Sequence, residues 1–166
     1  PFTIKGEGKG IDWPPVTKCP WTKGFENGIE CMWLIDNDKD NRGWEITSSS
    51  YTPSHSGDYS IASYSVAGFV GAIFPDNYLI TPPLALPEKH EVELSWWVGV
   101  GDPNKVQEHY EVRISETGKL AADFKERLFE ETLTSADWKE QKLDLTKYAG
   151  KTVYIAFIHN YSSAQF

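Results

Sequence analysis

The stretch His90-Glu91-Val92-Glu93-Leu94-Ser95-Trp96-Trp97-Val98-Gly99-Val100 decides the fold class. Val92, Leu94, Trp96, Val98 and Val100 fall on one side of an extended chain, and Glu91, Glu93, Ser95, Trp97 and Gly99 on the other. Strict alternation of this kind marks a strand with one face on a core and one facing water. Residues 109–115 repeat it, with Tyr110, Val112 and Ile114 inward and His109, Glu111, Arg113 and Ser115 outward. Residues 151–159 differ. Val153, Ile155 and Phe157 oppose Tyr154, Ala156 and Ile158, so both faces are apolar, as in a central strand covered on both sides.

Weaker strands are expected at 44–47, 59–64, 77–81, 128–133 and 140–145. Pro82, Pro83 and Pro87 bar a continuing central strand after Thr81. Helical signal is confined to a turn or two at 119–125 and one at 146–148, ending at Gly150. Short strands between turn residues predict an all-β fold, a jelly-roll β-sandwich of two antiparallel sheets. Residues 1–24, with Gly6, Gly8, Gly10, Pro14, Pro15 and Pro20, read as an irregular N-terminal arm or linker, and 25–166 as the domain. The start at Pro1, without a signal-peptide pattern, suggests a processed piece of a larger polypeptide.

Composition narrows the function. With 166 residues, 16 basic and 24 acidic, the formal charge is −8. That balance disfavours non-specific nucleic-acid binding, which needs a positive face against phosphates. An apolar content of 40 % is too high for disorder, and no apolar run approaches a membrane span. Two cysteines, Cys19 and Cys31, are too few for a structural zinc site; they suit a small-loop disulfide in an oxidising compartment and a pair of inert thiols in a reducing one.

The most informative chemistry lies in Asp36-Asn37-Asp38-Lys39-Asp40-Asn41-Arg42-Gly43-Trp44. Three Asp at alternate positions can turn hard oxygen ligands toward one centre, which suits Ca²⁺. An EF-hand is excluded, because Asn41 stands where its glycine belongs and Thr47 where its bidentate glutamate belongs. Two readings stay open on spacing alone: a calcium loop, or a solvated acidic turn in which Asp and Asn act as turn formers. His55, His90, His109 and His159 share no ligand spacing and read as surface or cap residues. No nucleophile elbow and no phosphate-cradling glycine loop occurs. Trp97 points outward between Ser95 and Gly99. Its face either stacks on a ligand or is covered by a loop or the arm.

Three stretches in order resemble one family: residues 33–44; Pro75-Asp76-Asn77-Tyr78-Leu79-Ile80-Thr81-Pro82; and His109-Tyr110-Glu111-Val112-Arg113-Ile114-Ser115. Phe25-Glu26 resembles the family's opening and residues 151–160 its penultimate strand. The family is the cleaved-adhesin domain, also grouped as choice-of-anchor J, of gingipain-type haemagglutinin/adhesin proteins of Bacteroidetes. The resemblance implies a calcium-bearing jelly roll, with structural Ca²⁺ on ligands drawn from Glu26, Asp36, Asp38, Asp40, Asp76 and Asn77. It also implies a further strand with an Asp-Asp pair beyond the penultimate one, so the sandwich is expected to lack its last strand. The expected function is a non-catalytic, secreted or cell-surface adhesin module, one domain of a larger parent protein, binding host protein or glycan. The alternative is a carbohydrate-binding accessory domain of a glycan-degrading enzyme. The aromatic contacts expected in either case are Trp97, Trp44 and Tyr51.

Overall fold

A computed structural model describes residues 4–5, 14–17, 21–68 and 71–162. Its strands are β1 (Ile4–Lys5), β2 (Ile29–Glu30), β3 (Trp33–Asp36), β4 (Glu45–Ser48), β5 (Tyr59–Ala62), β6 (Val66–Ala67), β7 (Gly71–Ala72), β8 (Asn77–Ile80), β9 (Leu84–Ala85), β10 (Glu93–Val98), β11 (His109–Ser115), β12 (Glu126–Thr132), β13 (Lys139–Asp144) and β14 (Thr152–His159). One layer is a six-stranded sheet ordered β12-β11-β14-β8-β3, with β9 also paired to β14. Two antiparallel ribbons, β4–β5 and β10–β13, face it.

Between the layers, Val112, Ile114, Val153, Ile155, Phe157 and Leu79 of the sheet share one core with Trp96, Leu94 and Val98 of β10, Leu143 of β13, and Ile46 and Ile61 of β4–β5. The fold is thus an all-β sandwich, as the alternation indicated. β14 is central, flanked by β11 on one side and by β8 and β9 on the other. Its second face is also covered: Ala156 and Ile158, with Tyr78 and Ile80 of β8, pack under Phe124. Phe124 follows the short 3-10 turn Ala121–Asp123, in the segment where a turn or two was expected.

This covering corrects the reading of β11. Glu111 and Ser115 were expected in water; Glu111 is 1 % exposed and Ser115 is buried. Arg113 Nε donates to Glu111 Oε2 at 2.5 Å, and Arg127 Nη1 lies 3.6 Å from Oε1. Burial alone would raise the Glu111 pKa, but the hydrogen bond and charge of Arg113 outweigh it and hold the carboxylate below its ordinary range.

The prolines after Thr81 interrupt a strand without ending its pairing. β8 pairs with residues 156–159 of β14, and β9 resumes opposite Thr152 and Val153. In the gap Pro82 has no N–H to offer. Thr81 fills the ladder instead: its N–H donates to Ile155 O at 2.9 Å, and Ile155 N–H donates to Thr81 Oγ1 at 3.0 Å. Within the stretch read as an irregular arm, Val16 docks on this region. Val16 N–H donates to Pro83 O at 2.8 Å and accepts through its carbonyl from Ala85 at 3.0 Å. Cys19 lies outside the described residues, and with it the expected Cys19–Cys31 pairing.

Candidate functional site

The acidic stretch splits at the end of β3. Residues 33–36 pair with β8 in the register Asp36↔Asn77, and the remainder forms a tight loop. The carboxylates fold that loop on themselves. Asp36 accepts the N–H of Lys39 and of Asn41, each at 2.8 Å. Asp38 accepts from Asp40 at 3.2 Å and from Asp76 at 2.9 Å, and Asp40 accepts from Arg42 at 2.8 Å. Lys39 and Asn41 sit at φ 63° and 64°, the left-handed region that such Asx-turns impose.

The result brings oxygens of Asp36, Asp38 and Asp40 within 4.8 Å of one another. The Asp36–Asp38 hydrogen bond lowers the Asp36 pKa; burial, and then that same bond, raises Asp38. Carboxylates this close repel one another unless a proton or a cation lies between them. Asp76 Oδ2 accepts from Asn37 Nδ2 at 2.5 Å, on the same side of the loop. Asn77 is buried, and its Nδ2 donates to Arg42 O at 2.9 Å and to Ser63 Oγ at 3.0 Å. Its Oδ1 is buried with no hydrogen-bond partner. Three convergent carboxylates beside an orphaned amide oxygen form a donor set that fits a hard cation.

Glu26 stands apart from this cluster. It accepts the N–H of Asp58 at 3.0 Å and of Tyr59 at 3.2 Å, at the start of β5. Gly57, at φ 71°, lies directly on that carboxylate, where a Cβ would overlap it. Glu26 therefore clamps the loop 51–58 onto the sandwich.

The aromatic candidates fall into three situations. Trp44 is half-buried against the core, and its Nε1 donates to Asn77 O at 3.0 Å, so it braces the acidic loop from below. Tyr51 is 85 % exposed at the loop tip. Trp97 points outward, as alternation requires, but His55 stacks on it with centroids 3.7 Å apart and planes at 14°. Trp138 meets His55 edge-on at 5.9 Å and lies against Gly99, where an added Cβ would touch its ring at 3.0 Å. His55 was read as a surface or cap residue and Trp138 was not singled out, because each sits in an aperiodic loop. Trp97 and Tyr51 border a cavity of about 550 Å³ that opens between the ribbons β4–β5 and β10–β13.

His159 was expected at the surface; it is buried at the floor of that cavity. Its Nδ1 lies 2.8 Å from Ser63 Oγ, and its Nε2 lies 2.9 Å from Glu108 Oε2 and 2.8 Å from Ser162 Oγ. Ser65 Oγ donates to the other Glu108 oxygen. Burial would raise the Glu108 pKa; hydrogen bonds from His159 and Ser65 hold it below the ordinary value. Ser63, His159 and Glu108 are linked in the order of a nucleophile, base and acid. Yet Ser63 Oγ also accepts from Asn77 Nδ2, which ties the hydroxyl into a buried bridge between β8 and β14. His109 closes the same end, with Nδ1 2.8 Å from Asn160 Oδ1.

A two-layer all-β sandwich with an oxygen-rich loop and an aromatic-rimmed cleft defines a β-sandwich module that carries its candidate site in loops at one end of the sheets. The family model described as Cleaved Adhesin Domain matches residues 19–166, and the chain belongs to that family. The K1 cleaved adhesin domain of Lys-gingipain from Porphyromonas gingivalis W83 superposes with a TM-score of 0.78 at 35 % identity, over 87 % of this chain and 89 % of that one. The K3 domain of the same protein gives 0.72 at 34 %, over 84 % and 86 %. Gingipain R1 and a Hemagglutinin A of P. gingivalis are each 39 % identical over 55 % of this chain. The chain spans only 5 % and 4 % of their lengths. A carbohydrate-binding module, TmCBM61 in complex with β-1,4-galactotriose, shares the fold at TM-score 0.50 and 13 % identity. Among the described residues no helix is long and apolar enough to cross a membrane.

Proposed function

We propose that the chain is a non-catalytic binding module of a secreted or cell-surface protein, one domain of a larger parent, engaging host protein or glycan through its loops. The observation that carries the reading is the 35 % identity to an adhesin domain over nearly the whole fold. The exposed Tyr51 and the Trp97–His55–Trp138 rings supply contact groups of the kind that dominate such interfaces. Bound calcium has a structural role in this reading. Asp36, Asp38 and Asp40 would hold it, with Asp76 and Asn77 beside them, and the ion would neutralise carboxylates that otherwise repel. A carbohydrate ligand is the second reading. The ring cluster favours it, because aromatic faces suit the apolar face of a pyranose.

The test has two arms. Calcium at about 100 times its Kd should stabilise the fold by about 2.7 kcal/mol, or roughly 5–11 °C in Tm for a chain of this size, reversed by EDTA. An unchanged Tm would remove the metal. A Tyr51→Ala variant should keep its Tm and lose binding to host-cell glycoprotein or glycan panels; full retention would remove the loop from the contact.

A further inference from the structure

A second set of metal-ligating side chains stands at the far side of the six-stranded sheet. The acidic loop follows β3, at one edge of the path β12-β11-β14-β8-β3; this set lies on β11 and β12, at the other. His109 and Glu111 alternate with the core residues Tyr110 and Val112, so they share the outer face of β11. Glu130 of β12 pairs directly with Glu111 in the ladder. One ligand atom from each of His109, Glu111 and Glu130 lies within 4.8 Å of the other two.

A β-bulge brings a cationic side chain to the same place. Val112 pairs with Phe129 but Arg113 pairs with Arg127, so Leu128 is an extra residue in β12. Leu128 and Phe129 both pack against the core. Arg127 and Glu130, which an unbroken strand would turn to opposite faces, therefore both turn outward. Arg127 Nη1 lies 2.6 Å from Glu130 Oε2 and 3.6 Å from Glu111 Oε1, between the two carboxylates. Its side chain is half-exposed and can swing into water, as an exposed ion pair allows. Arg113, in contrast, holds the other oxygen of the buried Glu111 and fixes that carboxylate in place.

The orientation of His109 is the second observation. Its Nδ1 lies 2.8 Å from Asn160 Oδ1 and 3.0 Å from the Asn160 carbonyl oxygen. A carbonyl oxygen only accepts, so Nδ1 carries the proton, and in the neutral ring Nε2 is a bare lone pair. That lone pair faces Glu130 Oε2 across 3.8 Å. Two acceptors set against each other repel, and a cation between them converts the repulsion into two bonds. A carbonyl bonded to the far ring nitrogen is also the arrangement that orients a ligand histidine.

We propose that His109, Glu111 and Glu130 form a Zn²⁺ site, with Arg127 as the cation that occupies it when zinc is absent. One imidazole and two carboxylates suit zinc, whereas calcium takes oxygen ligands and belongs to the acidic loop. Zinc bonds of about 2.0–2.2 Å place ligand atoms roughly 3.3 Å apart in a tetrahedron. The 3.8 Å between His109 and Glu130 closes to that by rotation of the half-exposed Glu130. Three protein ligands leave the fourth position open to water or to a donor atom of a bound molecule. The site depends on neither the calcium loop nor the loop aromatics, so each reading can fail alone.

The experiment titrates Zn²⁺ into the 166-residue chain at constant pH with calcium in excess, following heat and the ring-nitrogen NMR shifts of the four histidines. One Zn²⁺ per chain should bind, and His109 Nε2 should shift while His55, His90 and His159 do not. Co²⁺ in place of zinc should give the visible absorption of a four-coordinate ion. Glu130→Gln, on the edge strand and half-exposed, should keep the parent Tm without metal and bind zinc at least about tenfold more weakly, as should His109→Ala. Arg127→Gln removes the competing charge and should bind zinc at least about fivefold more tightly. No zinc binding, binding that shifts another histidine instead of His109, or unchanged affinity in Glu130→Gln would overturn the site. Unchanged or weaker affinity in Arg127→Gln would overturn the role of Arg127.

Discussion

The clamp between Glu26 and the loop at 51–58 gives a prediction whose size follows from geometry. Gly57→Ala places a methyl group where the Glu26 carboxylate lies, at a residue with φ 71°. The left-handed backbone costs about 1 kcal/mol for an L side chain. Displacing the carboxylate also removes the hydrogen bonds to Asp58 N–H and Tyr59 N–H, at about 1 kcal/mol each for partly exposed groups. The sum is about 3 kcal/mol, or roughly 6–12 °C in Tm. Thermal denaturation in EDTA measures it without any contribution from metal. The decisive comparison is a double-mutant cycle. On a Glu26→Ala background the glycine substitution has no carboxylate to displace, so its cost should shrink to about 1 kcal/mol. An equal cost on both backgrounds would refute the clamp. Ligand binding should fall with Gly57→Ala even at temperatures where the fold persists, since Tyr51 and His55 ride on the released loop.

Two other perturbations test the scaffold. Thr81→Val keeps the shape but leaves the Ile155 N–H buried without an acceptor; the expected loss is about 1–3 kcal/mol by thermal melting, with accelerated exchange at Ile155, and Thr81→Ser should recover most of it. Glu108, Glu111 and Glu131 each have a pKa held below the ordinary 4.5 despite burial, by partners led by His159, Arg113 and Lys139 respectively. A carboxylate depressed in the folded state contributes stability above its unfolded pKa and loses it as pH falls through the folded one. Tm should therefore be flat from neutrality to about pH 5 and fall below about 4.5, less steeply in Glu108→Gln; a Tm that rises on acidification would contradict the sign.

The legible parts of the fold were those with a long period. β11 has the expected bounds, and β10 and β14 fall within one to three residues of theirs, because seven to eleven alternating positions leave little freedom. β3 was hidden inside the acidic stretch: Trp-Leu-Ile-Asp does not alternate, since Trp33 and Ile35 pack with the cluster around Phe124 while the intervening Leu34 is apolar yet 40 % exposed. β2, β6, β7 and β9 are two residues each, too short for any periodic signal. The outward face of β11 misled for a different reason. A charged residue on a strand reads as solvated, and only the neighbouring strand, through Arg127, and the Phe124 lid reveal that Glu111 is buried and paired. The site shows the same division. The Asp spacing was visible, whereas His55 over Trp97 depends on a loop whose path is fixed by Glu26, far away in sequence.

The acidic composition also has a structural meaning that separates two ways calcium can act. Asp36, Asp38, Asp40 and Glu26 are all acceptors for backbone N–H groups at turns, so negative charge is already used to shape loops. Each carboxylate retains lone pairs after those bonds. A cation at Asp36–Asp40 would then add to a loop that hydrogen bonds have already built, in contrast to zinc fingers, which have no fold without metal. If calcium binds there as proposed, chelation should lower Tm while the native spectrum persists at 25 °C. Replacing Asp36 should then cost more than chelation does, since that carboxylate alone closes the turn through both Lys39 and Asn41.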